Sequence, residues 1–330
     1  MPSFPPIVHS RRSRIVPAPS LVLGAMLFVA CQDGPTAPSA TRPALVGALS
    51  ERGESRSEGT FRFTTIDVPN AVVTTAWGIN ARGDIVGSYT DVNGRPHGYL
   101  LRDGEFTTID FSASARTEAR GIGPDGEIVG VYWFAGEPAV NLHGYMRTKK
   151  GAFVPVNDPP HISTIAQRIL PDGTILGCRH DTDQMVTMRG IVVSREGSIA
   201  ELDQFGSMEN GGTPDHRRVV GLYFNMAAAN RNEGFLIDDG EFTPLLVPGS
   251  TLTQAWDINP AGEIIGFYRT AGVFHGFVLS DEQYITVDVP DATATRPRGI
   301  NSRGDIVGTY IATDGTTHGF LASQGREHED

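Results

Sequence analysis

Gly83-Asp84-Ile85-Val86-Gly87 returns five more times along the chain, as Gly126-Glu127-Ile128-Val129-Gly130, Gly173-Thr174-Ile175-Leu176-Gly177, Arg217-Arg218-Val219-Val220-Gly221, Gly262-Glu263-Ile264-Ile265-Gly266 and Gly304-Asp305-Ile306-Val307-Gly308. The closing glycines stand 43, 47, 44, 45 and 42 residues apart. Nine to thirteen residues beyond each comes a second anchor: His97-Gly98-Tyr99, His143-Gly144-Tyr145, Arg189-Gly190-Ile191, Glu233-Gly234-Phe235, His275-Gly276-Phe277 and His318-Gly319-Phe320. A period of this size marks a repeat architecture, in which a unit buries its apolar face only by stacking on its neighbours.

Each repeat also carries a segment before the first anchor, such as Trp77-Gly78-Ile79-Asn80, and one after the second, such as Phe106-Thr107-Thr108-Ile109-Asp110. Four short segments rich in β-branched and aromatic residues, separated by turn residues, predict four strands per repeat. The expected fold is therefore all-β: a six-bladed β-propeller of four-stranded blades, since radial repetition leaves only short protected edges. The outermost strands are predicted at 61–68, 106–111, 152–157, 199–203, 242–247 and 284–289, six against six sets of inner strands. The chain ends after His318-Gly319-Phe320-Leu321 without an outer strand of its own, so the N-terminal strand is expected to close the last blade. An open β-solenoid is the competing architecture, but it needs capping repeats, and the terminal repeats here are the most regular.

The Gly-x-Asn, Gly-Asp-Ile-Val-Gly and His-Gly-Phe series resembles the bacterial extracellular repeats of the HAF family, over roughly residues 61–322. Gly stands in place of the family's Ala in the tripeptide, and the third and fourth repeats lose the His. The resemblance implies an exported repeat protein and no particular activity.

The N-terminus agrees with export. Arg11, Arg12 and Arg14 precede an apolar run from Leu21 to Ala30, the order of a secretory signal, and ten residues are too few to span a bilayer. Phe28-Val29-Ala30-Cys31 resembles the bacterial lipobox, with Phe28 where Leu is usual. The resemblance implies lipidation of Cys31, and Gln32 rather than Asp after it implies the outer membrane, facing the periplasm or the cell surface. Ser10–Ile15 partly resembles a twin-arginine signal with Arg14 at an apolar place, so both export routes stay open. Residues 1–30 read as the signal peptide, 31–60 as lipidated Cys and a Pro-, Ser- and Gly-rich tether, and 61–330 as the propeller. The formal charge of -11, with only two lysines, Lys149 and Lys150, disfavours nucleic acid, which binds mainly through Lys and Arg at phosphates.

In a repeat scaffold, function is sought where copies differ. Trp77, Arg120, Gln167, Trp256 and Arg298 occupy matching places at the Gly-Ile-Asn step and vary in type while their neighbours do not. They either pack between blades or offer aromatic and charged faces to a sugar or an acidic group. Trp133, in the long connection 132–142, and His180 complete the candidate ligand site, which is placed on the face carrying the loops between second and third strands. His97, His143, His275 and His318 repeat with the scaffold. Neighbouring copies on different blades are expected on the order of 15 Å apart, far beyond shared zinc ligation at about 2.1 Å, so each ring is expected to bond backbone at a blade turn. Cys178 with His180 lacks a third orienting group and reads as a buried thiol; Asp181 and Asp183 meet no calcium-loop spacing.

The expected function class is non-catalytic binding or scaffolding, of a glycan, peptide or protein partner. The alternatives are a hydrolase or lyase acting on extracellular polysaccharide, with carboxylates about 5 to 9.5 Å apart in the channel, and a purely structural envelope protein. No catalytic residue, metal or cofactor is indicated, and a monomer is expected.

Overall fold

The computed structural model describes residues 61–138, 141–181, 187–229 and 231–324. The signal, Cys31 and the tether lie outside them. Among the described residues no helix is long and apolar enough to cross a membrane.

Each repeat folds as predicted into four antiparallel strands. In the first they are β2 (Val73–Ile79), β3 (Ile85–Thr90), β4 (Pro96–Arg102) and β5 (Glu105–Ile109). The second to fifth repeats form separate four-stranded sheets: β6 (Ala115–Ile122) to β9 (Phe153–Val156), β10 (Ser163–Ile169) to β13 (Ile199–Phe205), β14 (Ser207–Gly212) to β17 (Glu241–Leu245), and β18 (Leu252–Ile258) to β21 (Gln283–Thr286). In the last repeat β22 (Ala294–Ile300), β23 (Ile306–Ile311) and β24 (Thr317–Gln324) are completed by β1 (Phe61–Ile66). The pairing of β1 with β24 is antiparallel and runs from Phe61 opposite Gln324 to Ile66 opposite Gly319. The protein is thus a β-propeller of four-stranded blades whose N-terminal strand closes the C-terminal blade. That blade and the sheet β2–β5 are joined into one eight-stranded sheet by a single parallel pair, Val73 opposite Thr317.

The repeated residues are explained by the blade. A Cβ on Gly87 would collide with the carbonyl of Thr75, and equivalent collisions await at Gly130, Gly177, Gly221, Gly266 and Gly308. Under most of these glycines lies the aromatic ring of the second anchor, fully buried as Tyr99, Tyr145, Phe235, Phe277 or Phe320. Asn80 caps the first hairpin: its Oδ1 accepts from the N–H of Arg82 and Asp84 at 3.0 Å each, and its Nδ2 donates to Asp84 at 2.9 Å. The same amides sew one repeat to the next. Asn259 donates to the carbonyl of Asn301, Asn301 to that of Asn80 and Asn80 to that of Gly123, so the stitching continues across the seam between last and first repeats. On the same turns Arg82 and Arg303 reach the carbonyls of Pro124 and Ala81 in the following repeat.

The repeated histidines are structural, but their partners differ from the expectation. Instead of bonding backbone, each ring meets a carboxylate and stacks on a tyrosine of the second strand. His97 Nδ1 lies 2.9 Å from Asp110 with its ring 5.0 Å from Tyr89; His275 lies 2.7 Å from Asp288 and 5.3 Å from Tyr268. His318 lies 2.8 Å from Asp67, just past β1, and so ties the closing strand to β24. For His97, His275 and His318 the carboxylate follows the outer strand, within reach of a ring on the strand beside it, whereas His143 meets Glu137, in the connection before the third strand, at 3.2 Å.

Candidate functional site: a ring of bulge residues

All six inner strands break register against the second strand at the same place. The shifts fall between Ala76 and Gly78, Ala119 and Gly121, Ala166 and Arg168, Glu209 and Gly211, Ala255 and Asp257, and Pro297 and Gly299. One extra residue is left unpaired in each: Trp77, Arg120, Gln167, Asn210, Trp256 and Arg298. A bulge bends the strand and re-aims the side chain it carries. Here five of the six, Trp77, Arg120, Gln167, Trp256 and Arg298, form one connected set of contacts. Trp77 of the first repeat and Trp256 of the fifth come to 5.7 Å between ring centroids. The Arg298 guanidinium lies 3.7 Å from the Trp256 ring and 4.5 Å from Trp77, and Arg120 covers Trp77 at 4.7 Å. Arg120 also donates to Gln167 at 3.1 Å and pairs with Glu118 at 2.7 Å. Asn210 donates to the carbonyl of Ala255 at 2.9 Å.

The next residue is glycine in four of the repeats and charged in two. Backbones crowd here: a Cβ on Gly78 would stand 2.8 Å from the carbonyl of Arg120 and 2.9 Å from Arg168 Nη1. Arg168 of the third repeat crosses the axis to pair with Asp257 of the fifth at 3.1 Å, both side chains 7% exposed, and to donate to the carbonyl of Arg298 at 3.0 Å. Asp257 accepts in addition from the N–H of Ile258 and of Ile300, each at 3.0 Å. This buried ion pair forms a floor directly beneath the ring.

Above the ring the walls are apolar. Trp77 and Trp256 belong to a cluster with Val131, Ile165, Cys178, Met188, Met208, Leu222 and Phe267, flanked by Trp133, Leu142, Phe224, Leu252 and Phe274. Leu142, Met188 and Phe274 sit at or just before third strands, so the cluster lies toward the connections between second and third strands. Trp77, Arg296 and Arg298 keep part of their surface in solvent. Arg296 stacks on Phe274 at 4.1 Å.

Of the residues singled out in the sequence, Trp77, Arg120, Trp256 and Arg298 are brought together, and Trp133 joins their apolar cluster. Trp133 and Phe134 are not on a loop: β7 (Ile128–Phe134) runs through them because Arg116 and Ala115 continue the ladder opposite. His180 stands apart from the ring. It is buried at the end of β11 (Ile175–His180), with Nδ1 2.9 Å from the carbonyl of Asp181. Cys178 is fully buried, and desolvation pushes its thiol up to about 12, which leaves it protonated and unsuited to nucleophilic attack. Asp181 bonds His161 at 3.2 Å; Asp183 lies outside the described residues. Asp158, His161 and Glu201 place ligand atoms within 4.8 Å of one another, but Arg179 already supplies the positive charge there, 2.8 Å from Glu201.

Sequence reasoning missed Asn210 and its neighbour Glu209. Glu209 occupies the place of Ala76, Ala119 and Ala255, packed so close to Gly190 that a Cβ there would stand 3.0 Å from its Cγ. Burial raises its carboxyl to about 7.

No protein-family model and no curated protein matches the chain. Solved structures do. A structure assigned to TolB from Agrobacterium tumefaciens superposes with a TM-score of 0.51 at 12% identity, over 73% of this chain and 79% of that one. A lectin from Aleuria aurantia in complex with Fucα1-6GlcNAc gives 0.49 at 11% identity, over 77% of this chain and 95% of that one. A streptogramin B lyase gives 0.45 at 13%, over 82% and 100%. The likeness is one of fold. A propeller scaffold serves many functions, and function resides in the site that it carries.

Proposed function

We propose that this chain is a cell-envelope lipoprotein, similar to HAF-repeat proteins, whose six-bladed propeller binds a small ligand at the mouth above the ring and performs no chemistry on it. Six blades follow when the eight-stranded sheet is divided at its one parallel pair, leaving two four-stranded units beside the four separate ones. The observation that carries the binding reading is the set of bulges. The bulge recurs in all six repeats, while the residue it presents changes from Trp to Arg to Gln to Asn. A purely structural position in a repeat would be expected to repeat its residue too. Glu118 holds Arg120 and Asp257 holds Arg168, which favours binding over hydrolysis at these two acids, and Glu209 is buried against Gly190.

Two experiments test this reading. In a thermal-shift screen of the purified full chain against glycans and peptides, Trp77→Ala is expected to weaken any ligand at least tenfold. Arg62→Ala on the exposed outer strand is expected to leave affinity unchanged. Equal affinities would place the ligand elsewhere. For the anchor, Cys31→Ser is expected to move the protein from the membrane fraction to the soluble periplasmic one, because stable anchoring depends on acyl chains at that residue. Unchanged fractionation would count against lipidation.

A further inference from the structure

We propose that the mouth grips a carboxylate, with Arg298 and Arg296 as its donors and the aromatic cluster as the wall around the rest of the ligand; this rests on reading the mouth as a binding site. Four arginines converge on the axis: Arg120, Arg168, Arg296 and Arg298. Arg120 is matched by Glu118 and Arg168 by Asp257. Among the described residues neither Arg296 nor Arg298 has an ion pair or a hydrogen bond from its guanidinium; Arg298 Nη1 and Arg296 Nε are buried without a partner.

Both guanidiniums lie against aromatic rings instead. The Arg298 guanidinium lies in the corner between Trp256 and Trp77, with Phe267 at 5.0 Å, and the Arg296 guanidinium lies over Phe274. An aromatic ring beside the cation stabilises it without taking up its N–H donors. Burial, together with the charges of Arg296 and Arg120, pushes Arg298 well below the ordinary arginine range. An arginine keeps its proton in proteins, so its charge is held there at a desolvation cost. A ligand carboxylate would relieve it, since a planar two-oxygen anion matches the guanidinium fork. Gln167, fully buried beside Arg120, adds an unpartnered Nε2 donor to the same ring.

Net charge narrows the class. The protein carries -11 overall, which repels extended polyanions, whereas Arg296 and Arg298, neither paired with a carboxylate, suit a single compact anion. The apolar wall of Trp133, Leu142, Met188 and Phe274 calls for a ring or apolar body behind the carboxylate. An aromatic acid and an acidic sugar both fit that description.

All three tryptophans of the chain, Trp77, Trp133 and Trp256, lie in this cluster, so intrinsic fluorescence of the full-length protein reports on the mouth directly. Titrations at constant ionic strength would use benzoate against benzamide and glucuronate against glucose. At least one carboxylate is expected to give a saturable change that its neutral counterpart lacks, and the pair that responds tells which source fits. Arg298→Gln and the more exposed Arg296→Gln are each expected to raise Kd at least tenfold, without lowering the melting temperature of the unliganded protein. No saturable response to either carboxylate overturns the inference, as does equal binding of the neutral partner or an unchanged Kd in both variants. In those cases the wider screen with Trp77→Ala still decides whether the mouth binds anything, so the two readings fail separately.

Discussion

A chain lacking residues 1–68 is expected to lose its cooperative melting transition, whereas one lacking residues 1–57 should melt as the full chain does. The difference between them is β1 and the residues just after it. Ile66 and Val68 are buried to 5% and 9% exposure, and Phe63 packs edge-on against Phe320 with centroids 5.9 Å apart. Burying a side chain of this size contributes about 1.5–3 kcal/mol. With Phe61 the four amount to something on the order of 6–10 kcal/mol, comparable to the whole stability of a domain at about 5–15 kcal/mol. Deletion also bares the full edge of β24, strips His318 of Asp67 and Tyr310 of its contact with Thr65, and leaves a template for aggregation. Circular dichroism melts of the two truncations check this directly. Equal melting temperatures would show that the propeller is not closed by this strand.

The architecture was legible because the features that build a blade are the ones that repeat. Gly87 and its equivalents are fixed by a colliding carbonyl, Asn80 and its equivalents by two jobs at once, and the count of outer strands left one place for residues 61–66. Matching places also revealed Trp77, Arg120, Gln167, Trp256 and Arg298, since type varied where neighbours did not. What the pattern could not convey was depth. A bulge changes which way a residue points without changing its place in the repeat, so the choice between packing among blades and meeting at the axis needed the register. Asn210 escaped because the fourth repeat replaces Gly-Ile-Asn by Gly211-Gly212-Thr213, which removes the landmark used to align it. Contacts across the axis, such as Arg168 with Asp257, join residues that the repeat places at equivalent positions in different copies, and equivalence says nothing about touching.

Arg168→Met is expected to destabilise the protein by about 3–5 kcal/mol, the cost of leaving a buried carboxylate without its cation. Arg168 is the only one of the six residues at its level that spans the axis; Gly78, Gly121, Gly211 and Gly299 are glycines, and Asp257 is its partner. The variant removes one charge and a bond to the Arg298 carbonyl while Asp257, almost wholly buried, keeps only two backbone N–H donors. Burial already pushes the Asp257 carboxyl up against the pull of Arg168, so loss of the arginine tips it toward protonation. Adding Asp257→Asn removes the stranded charge, and the double variant is expected to recover at least half of the loss. Urea unfolding of the full chain, followed by tryptophan emission and by circular dichroism, gives the cycle. The two probes should agree on the energy, but emission should also shift in the folded baseline of Arg168→Met, because Trp77 and Trp256 rest immediately above the pair. If the single variant costs less than about 1 kcal/mol, the pair behaves as an exposed one, and the floor beneath the ring is open to water.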